Sequence, residues 1–185
     1  ETPFVLAPRD EIGVYGGTMY SAFPSMYQGQ AYQTAGFYEP VLTWNADRTE
    51  LLPNLVEVYE TSEDAKTIRM TIRKGLKWSD GDPVTTEDIE FAYNDVWLNT
   101  DLSPTPPTTF TGDGELCQLN VVDEYTFELV FKKAYPSLKY QLCRQGNTDQ
   151  LFIPSHYLKQ FHPNYVDEAE LNQLVQDEGF ENWMQ

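Results

Sequence analysis

Two histidines are the side chains in this sequence best suited to act as a general base or to bind a metal ion. His156 and His162 each lie close to a proline, Pro154 and Pro163, at a predicted helix boundary. Neither histidine has a carboxylate partner nearby in the sequence. A surface or helix-capping role therefore fits both better than a catalytic one.

Two acidic turns, Asp80-Gly81-Asp82 and Asp113-Gly114-Glu115, superficially resemble calcium-binding loops. Neither turn continues with the spaced oxygen ligands and the terminal glutamate of an EF-hand loop. Turn formation by Asp and Gly explains both without a metal ion. We therefore predict no metal site.

The sequence contains none of four enzyme motifs that have a known mechanism. It has no phosphate-binding G-x-x-x-x-G-K-[ST], no G-x-G-x-x-G after a predicted strand, no H-E-x-x-H and no G-x-S-x-G. Nothing singles out a catalytic carboxylate pair among the 29 acidic residues, although a glycoside hydrolase needs one. We predict a protein that is not an enzyme and carries no cofactor.

Cys117 and Cys143 are too few, and too far apart, to form a zinc site with the two histidines. A disulfide between them would close a loop that contributes about 3 kcal/mol to stability in the chain-entropy model. Two buried thiols are the alternative. Both alternatives stay open on the sequence alone.

Composition supports a packed fold and argues against nucleic-acid binding. Hydrophobic residues make up 41% of the 185 residues and aromatic residues 14%, which is enough to build a core. The 29 acidic and 12 basic residues give a net charge of −17, which repels nucleic-acid phosphates and anionic lipid. No apolar run approaches the roughly 20 residues that span a bilayer.

The elements that must position any site begin with a hairpin. Val56–Glu60 and Thr67–Arg73 flank a polar turn, and in the second segment Ile68, Met70 and Ile72 alternate with polar residues. After it, Thr85 with Asp88 three positions on predicts the start of an amphipathic helix. Its apolar stripe consists of Ile89, Ala92, Tyr93, Val96 and Trp97.

The remaining chain adds a second hairpin and several short helices. Residues 117–121 and 125–131 alternate around an Asp123-Glu124 turn, whereas the Pro- and Thr-rich residues 99–114 predict a surface loop. A strand is predicted over Thr18–Phe23 and a loop with a short helix over residues 24–36. Further helices are predicted from Pro136 to Cys143, from Pro154 to Phe161, and after Asp167 until Gly179. The pattern predicts an α+β fold with a mixed or antiparallel sheet.

Residues 64–89, DAKTIRMTIRKGLKWSDGDPVTTEDI, resemble the signature of the family 5 extracellular solute-binding proteins, the peptide carriers of ABC importers. The resemblance covers nearly the whole chain. Supporting matches are Gly16-Gly17-Thr18, YEPVL at residues 38–42, LPNL at 52–55, VVDEYT at 121–126 and IPSHY at 153–157.

The resemblance implies a type II periplasmic-binding-protein fold of the oligopeptide-binding subclass. Residues 1–40 and 135–185 then belong to the first lobe, and residues 41–134 form the family's small accessory domain. The second lobe is expected to lie outside these 185 residues. Because family members enclose a solute between two lobes, we expect this chain alone to bind one no tighter than millimolar.

The resemblance also implies a function. It predicts the substrate-binding component of an ABC-type importer that captures peptides or other small solutes, such as oligosaccharides, and delivers them to the permease subunits. The protein is expected to be extracytoplasmic, in the periplasm or at the cell surface, and monomeric. It is expected to need no cofactor and to bind no nucleic acid.

The same resemblance implies where solute contacts lie. The signature residues are expected to serve the core, and the contacts to come from the loop after the first strand, from the Pro/Thr loop and from a later turn. By position these contacts are Tyr27, Gln28, Gly29, Gln30, Phe110 and Asn147.

Two other functions stay open: an extracellular carbohydrate-binding module and part of a glycoside hydrolase. A carbohydrate-stacking surface requires aromatic side chains on one wet face. Trp44, Trp78 and Trp97 lie in or beside apolar segments, so core packing is predicted for all three. The solute carrier is therefore preferred.

Overall fold

The centre of the molecule is an antiparallel four-stranded sheet with helices packed around it, seen in a computed structural model that describes residues 14, 16–18, 39–144 and 147–184. The sheet has strand order β3-β4-β8-β7. Its strands are β3 (Val56–Thr61), β4 (Thr67–Ile72), β7 (Gln118–Val121) and β8 (Thr126–Val130). The α+β prediction is confirmed.

The first predicted hairpin is formed by β3 and β4. The two strands pair antiparallel, with Val56 opposite Ile72 and Thr61 opposite Ile68, and a bulge separates Val56 from Val58. Ile68, Met70 and Ile72 are all fully buried, as their alternation with polar residues predicts.

The second predicted hairpin, β7 with β8, is also confirmed. It joins the sheet along β4, which places Leu129 beside both Ile68 and Leu119 and Phe127 beside Met70. Leu129 and Phe127 are fully buried, so the centre of the sheet carries one continuous apolar face.

The helix predicted after Thr85 forms, but its second half is wound differently. Helix α1 (Thr86–Phe91) begins with a complete capping box between Thr85 and Asp88. It continues as a π-helical segment, Ala92–Trp97, closed by a hydrogen bond of 3.1 Å from Leu98 N to the Tyr93 carbonyl. This wider winding still buries Trp97, which is 3% exposed.

Two small hairpins form separate two-stranded sheets, and hydrophobic periodicity predicts neither of them. One joins β1 (Leu42–Trp44) to β2 (Leu51–Pro53), and the other joins β5 (Thr111–Gly112) to β6 (Glu115–Leu116). Strands of two or three residues are too short to show a repeating pattern.

The predicted surface loop of residues 99–114 needs a correction. Within it a 3₁₀ turn, Thr108–Phe110, buries the Phe110 ring completely. Phe110 is one apolar residue among prolines and threonines, so no local pattern indicates that it enters the core.

The chain after the sheet forms short helices. The C-terminal one, α5 (Glu168–Glu178), is capped by the Asp167 side chain, which accepts hydrogen bonds from Ala169 N and Glu170 N, and it ends at Gly179, whose φ is 75°. Both of its predicted ends are confirmed. The helices are α2 (Leu138–Gln141), α3 (Thr148–Leu151), α4 (Ser155–Leu158) with a 3₁₀ turn (Lys159–Phe161), and α5 (Glu168–Glu178).

One hydrophobic cluster joins the sheet to the helices that follow it. Leu138, Leu142, Leu151 and Phe152 belong to the same buried cluster as the strands. The proposed division of the chain at residues 40 and 134 stays a prediction, and the elements predicted over residues 19–36 lie outside the described residues. In the part that is described, no helix has the length and apolar character needed to cross a membrane.

Candidate functional site

A stacked pair of aromatic rings forms the centre of the candidate site. The Trp97 and Phe110 ring centroids lie 4.6 Å apart with their planes 17° from parallel. Tyr93 packs edge-on against Trp97 at 5.7 Å, and its hydroxyl donates to the Cys117 carbonyl at 3.0 Å. The π-helical winding and the Pro/Thr loop thus meet through their aromatic side chains.

Backbone hydrogen bonds hold the Pro/Thr loop against this stack. Phe110 N donates to the Pro107 carbonyl at 3.0 Å, and Cys117 N donates to the Phe110 carbonyl at 2.9 Å. The Thr111 hydroxyl also donates to the Pro107 carbonyl, at 3.0 Å. Proline has no backbone N–H, so Pro107 takes part in these hydrogen bonds only as an acceptor, through its carbonyl.

The turn of α3 lies on the other side of Trp97. The Trp97 indole N–H donates to the Gln150 carbonyl at 2.9 Å, which satisfies a donor that burial would otherwise leave unpaired. Asn147, just before α3, donates from its side chain to the Gln141 carbonyl at 2.8 Å. We call Trp97, Phe110 and residues 147–151 the Trp97 wall.

The Trp97 wall contains two buried side-chain oxygens with no hydrogen-bond partner among the residues that the structure describes. They are Thr148 Oγ1 and Gln150 Oε1. Each such atom typically costs about 1–3 kcal/mol of stability relative to a satisfied one. Sequence patterns do not identify them, because hydroxyl and amide side chains in a short polar segment usually face water.

The predicted solute contacts have two different outcomes. Phe110 and Asn147 are brought into one wall through Trp97, although their side chains are buried and face the protein. Solute contact at these two positions stays a prediction. Tyr27, Gln28, Gly29 and Gln30 lie outside the described residues, so contact there also stays a prediction.

The signature motif builds a different structure, centred on a buried carboxylate. Asp88, 2% exposed, accepts hydrogen bonds from the Trp78 indole N–H at 3.1 Å, from Thr85 N at 3.1 Å and from Ser155 N at 2.9 Å. We call these four residues the Asp88 cluster. It ties the turn after β4, the start of α1 and the start of α4 together, which supports the expectation that the motif is structural.

His156 extends the Asp88 cluster to the surface, and it does have carboxylate partners. Its Nε2 lies 2.7 Å from Asp80 and 3.6 Å from Asp82, both on the acidic turn that resembles a calcium loop. The hydrogen bond to Asp80 raises the pKa of His156, and the same bond lowers the pKa of Asp80. The pairing could not be found in the sequence because 76 residues separate the two.

His162 is buried rather than on the surface, which corrects the prediction made for it. It is 3% exposed, its Nε2 lies 3.2 Å from the Asp95 carbonyl, and its Nδ1 accepts from Asn164 N at 3.2 Å. Asn164 and Tyr165 donate in turn to the Asp95 carboxylate at 2.8 and 2.7 Å. This network joins the π-helical segment to the chain before α5 and has the partners of a structural histidine.

The second acidic turn is also used in ion pairs. Asp113 lies 2.5 Å from Lys133 Nζ, and Glu115 pairs with Lys132. The Lys133 hydrogen bond lowers the pKa of Asp113. Within the part of the chain that the structure describes, no group of three or more potential ligands is arranged to hold a metal ion.

The two cysteines are free thiols, so the structure has two thiols and not the bridge. Cys117 is buried immediately before β7, whereas Cys143 is partly buried just after α2. Burial raises the pKa of Cys117 to about 12 and that of Cys143 to about 11.

The prediction of core packing is wrong for Trp44, the tryptophan in β1. Its side chain is 38% exposed and stacks on Tyr140, itself 50% exposed, with centroids 6.2 Å apart. The pair borders an open cavity of about 620 Å³ that Glu50 and Lys139 also line. Trp97 is buried and Trp78 is partly buried against the core, so the prediction is confirmed for those two.

Comparison with known proteins identifies what the chain resembles. Residues 50–178 match the family model described as bacterial extracellular solute-binding proteins, family 5, middle segment. The chain is 33% identical over 173 residues, 85% of its length, to the periplasmic alpha-galactoside-binding protein of Rhizobium meliloti, of which it covers 25%. It is also 46% identical over 56 residues to the oligopeptide-binding protein OppA of Bacillus subtilis, which is 30% of this chain and 10% of that protein.

Solved structures give the same result. An oligopeptide-binding protein OppA superposes with a TM-score of 0.75 at 28% identity, covering 94% of this chain and 26% of that one. The periplasmic binding protein MelB of Agrobacterium fabrum, solved with stachyose, superposes with a TM-score of 0.56 at 34% identity, covering 76% of this chain and 22% of its own. The chain thus spans about a quarter of the length of these relatives.

Proposed function

Because the chain belongs to the family 5 extracellular solute-binding proteins of bacteria, we propose that it is part of the substrate-binding component of an ABC-type importer. The observation that carries this proposal is the family match over residues 50–178, which includes both the Asp88 cluster and the Trp97 wall. The protein captures a small solute outside the cytoplasmic membrane and delivers it to the permease subunits. It acts as a monomer and catalyses no reaction.

The proposed solute is an oligosaccharide, with α-galactosides first. Identity of 33% to an alpha-galactoside-binding protein over 85% of this chain supports that class, as does the 34% identity to MelB, solved with stachyose. Tyr27, Gln28, Gly29, Gln30, Phe110 and Asn147 are the proposed region of contact.

Peptides are the second candidate class. The match of highest TM-score among those described above, 0.75 over 94% of this chain, is with an oligopeptide-binding protein. The identity with that protein is 28%, below that with the alpha-galactoside binder, which is why the sugar is placed first.

The proposed division into domains keeps the main sheet within one domain. All four strands of the main sheet lie between residues 56 and 130, inside the proposed accessory domain of residues 41–134. Residues 1–40 and 135–185 are proposed to belong to the first lobe. The Trp97 wall then lies where α3, from the lobe, meets the accessory domain.

A titration tests the function and the solute class together. The 185-residue chain is titrated with stachyose and, separately, with trialanine, up to tens of millimolar, while backbone amide chemical shifts are recorded by NMR. Saturable shifts in residues 108–110 and 147–151 with stachyose are the expected result. Saturation with trialanine alone would move the proposal to peptides.

Trp44→Ala is the matched control for that titration. Trp44 lies in the exposed aromatic pair with Tyr140 rather than in the Trp97 wall, so the variant is expected to bind stachyose as the parent does. Loss of binding in Trp44→Ala would instead support the carbohydrate-binding module, and the absence of any concentration-dependent shift in residues 108–110 and 147–151 with either solute would contradict solute contact there.

A further inference from the structure

An open cavity beside β1 is lined by two exposed aromatic rings and two charged side chains. Trp44 and Tyr140 stack with their planes 17° from parallel, and the two residues are 38% and 50% exposed. Glu50 and Lys139 line the same cavity, whose volume is about 620 Å³. Sites for small molecules have volumes of roughly 300–1,000 Å³, so the cavity has the size of a binding site and is open to solvent.

The turn between β1 and β2 fixes the position of Glu50. Asn45 Oδ1 accepts hydrogen bonds from Thr49 N at 2.9 Å and from Glu50 N at 3.2 Å, and Asn45 N donates to the Glu50 carbonyl at 3.0 Å. Strand pairing places Trp44 opposite Leu51, the residue after Glu50. One braced hairpin therefore holds both the indole ring and the acidic residue.

Helix α2 supplies the other half of the cavity. Leu42 N of β1 donates to the Leu142 carbonyl at the end of α2, at 3.1 Å, and both leucines are buried in the core. Lys139 and Tyr140 belong to α2, and Lys139 Nζ lies 5.2 Å from the centroid of the Tyr140 ring. The two sides of the cavity are thus joined through the core, which holds its aromatic and charged groups in a fixed arrangement.

The two charges in the cavity are not used in ion pairs within the part of the chain that the structure describes. Glu50 and Lys139 pair neither with each other nor with another described residue. Asp113, in contrast, pairs with Lys133. A cationic solute would meet the Lys139 ammonium and an anionic solute the Glu50 carboxylate, so a solute that carries both signs complements the cavity best.

We propose that this cavity binds a zwitterionic amino acid with a flat, apolar side chain, such as an aromatic amino acid. The ammonium group of the solute pairs with Glu50, its carboxylate pairs with Lys139, and its ring packs on the exposed pair of Trp44 and Tyr140. The cavity shares no residue with the Trp97 wall. The site therefore goes beyond the proposed function and does not depend on which solute the carrier transports.

The expected affinity is low. Glu50 is exposed and Lys139 is only partly buried, so each ion pair contributes modestly and is weakened by salt. An open cavity also leaves part of the solute in water. A Kd of about a millimolar is expected at low ionic strength.

Three related probes test the proposal on the 185-residue chain. L-Phenylalanine carries both charges, phenethylamine only the ammonium group, and phenylpropionate only the carboxylate. Each is titrated at low ionic strength while backbone amide chemical shifts are recorded by NMR. L-Phenylalanine is expected to give saturable shifts in residues 42–53 and 139–142, with a Kd about two- to fivefold lower than that of either single-charge probe.

Two charge-removing variants assign the contacts one by one. Glu50→Gln is expected to weaken binding of L-phenylalanine and phenethylamine by about two- to fivefold and not to weaken phenylpropionate. Lys139→Gln is expected to weaken L-phenylalanine and phenylpropionate to the same extent and not to weaken phenethylamine. Asp47→Asn is the matched control, because it removes a negative charge from the same hairpin outside the cavity. It should leave the three Kd values unchanged.

Trp44→Ala tests the aromatic contact separately from the charges. Removal of the indole ring is expected to weaken all three probes by a similar factor, since each carries the same phenyl ring. The shifts that stachyose causes in residues 108–110 and 147–151 should stay as in the parent chain.

Two results would overturn the inference. One is the absence of saturable shifts in residues 42–53 and 139–142 with L-phenylalanine. The other is equal affinity for the three probes, or a failure of the two charge-removing variants to select between phenethylamine and phenylpropionate as expected. Either result is distinct from failure of the proposed carrier, which is measured with stachyose and trialanine at residues 108–110 and 147–151.

Discussion

The Asp88 cluster and the Trp97 wall satisfy their polar groups in opposite ways. In the cluster one buried carboxylate accepts three hydrogen bonds from three separate segments. In the wall two buried side-chain oxygens, on Thr148 and Gln150, have no hydrogen-bond partner among the described residues. The distinctive part of the sequence therefore satisfies its buried polar groups, whereas the unsatisfied oxygens lie in a short segment without a recognisable motif.

The difference has a physical reason. A residue that joins several segments is constrained by all of them, so the motif around Asp88 is long and ordered. The Thr148 hydroxyl, in contrast, has no hydrogen-bond partner among the described residues, and the local sequence around it shows no pattern beyond what a short helix needs.

We expect the largest loss of stability from a substitution at Phe110, which tests how firmly the Trp97 wall is packed. Phe110→Ala removes a fully buried ring that stacks on Trp97. It is expected to lower the free energy of unfolding by about 3–5 kcal/mol, through lost burial and the cavity left behind. Urea denaturation followed by tryptophan fluorescence measures it.

Phe110→Leu is the matched control, since it keeps an apolar side chain at the position and should cost clearly less than the alanine. A loss below about 1 kcal/mol for Phe110→Ala would show that the wall is loosely packed. The Asp88 cluster and the Trp97 wall would then differ in how tightly they are packed, and not only in how their polar groups are paired.

A somewhat smaller effect is expected at Asp88. Asp88→Ala leaves Trp78 Nε1, Thr85 N and Ser155 N without their acceptor, in a site where the aspartate is 2% exposed. Unpaired buried donors predict a loss of about 3 kcal/mol in the free energy of unfolding. Chemical denaturation at neutral pH gives the value.

Glu87→Ala supplies the control for Asp88, because the neighbouring glutamate has a side chain that is 75% exposed. Its substitution should change stability by no more than about 0.5 kcal/mol. Equal effects for the two substitutions would contradict the central role given to Asp88.

The smallest effect concerns the surface edge of the cluster and depends on pH. The pKa of His156 is raised by its hydrogen bond to Asp80, so the stabilisation is fully present below the unfolded pKa of about 6.5. It is lost as the pH rises through the folded pKa. At the acid end it is lost as Asp80, whose pKa is lowered, becomes protonated.

The difference in melting temperature between the parent chain and His156→Ala is therefore expected to be largest near about pH 5.5 and to shrink by about pH 9. Asp113→Ala is the control, because its partner Lys133 keeps its charge over that range. If the difference in melting temperature for His156→Ala does not vary with pH, the ion pair between His156 and Asp80 does not stabilise the protein.

The sequence alone was enough for the parts of the fold that depend on neighbours in the chain. Alternation of Ile68, Met70 and Ile72 predicted the first hairpin, and Thr85 with Asp88 predicted a helix start, which the capping box confirms. The long motif of residues 64–89 predicted the family, and the match to the family model over residues 50–178 confirms it. The short strands β1, β2, β5 and β6 were not predicted because they contain too few residues to show a period.

Contacts between distant parts of the chain depend on the tertiary structure. Ser155 N reaches Asp88 across 67 positions, and Trp97 reaches the Gln150 carbonyl across 53. Burial of Phe110 and exposure of Trp44 depend equally on what packs against each ring. Local patterns fix hairpins and helix ends because those contacts lie within a few residues, whereas a site is built from side chains whose distances are set by the packed core.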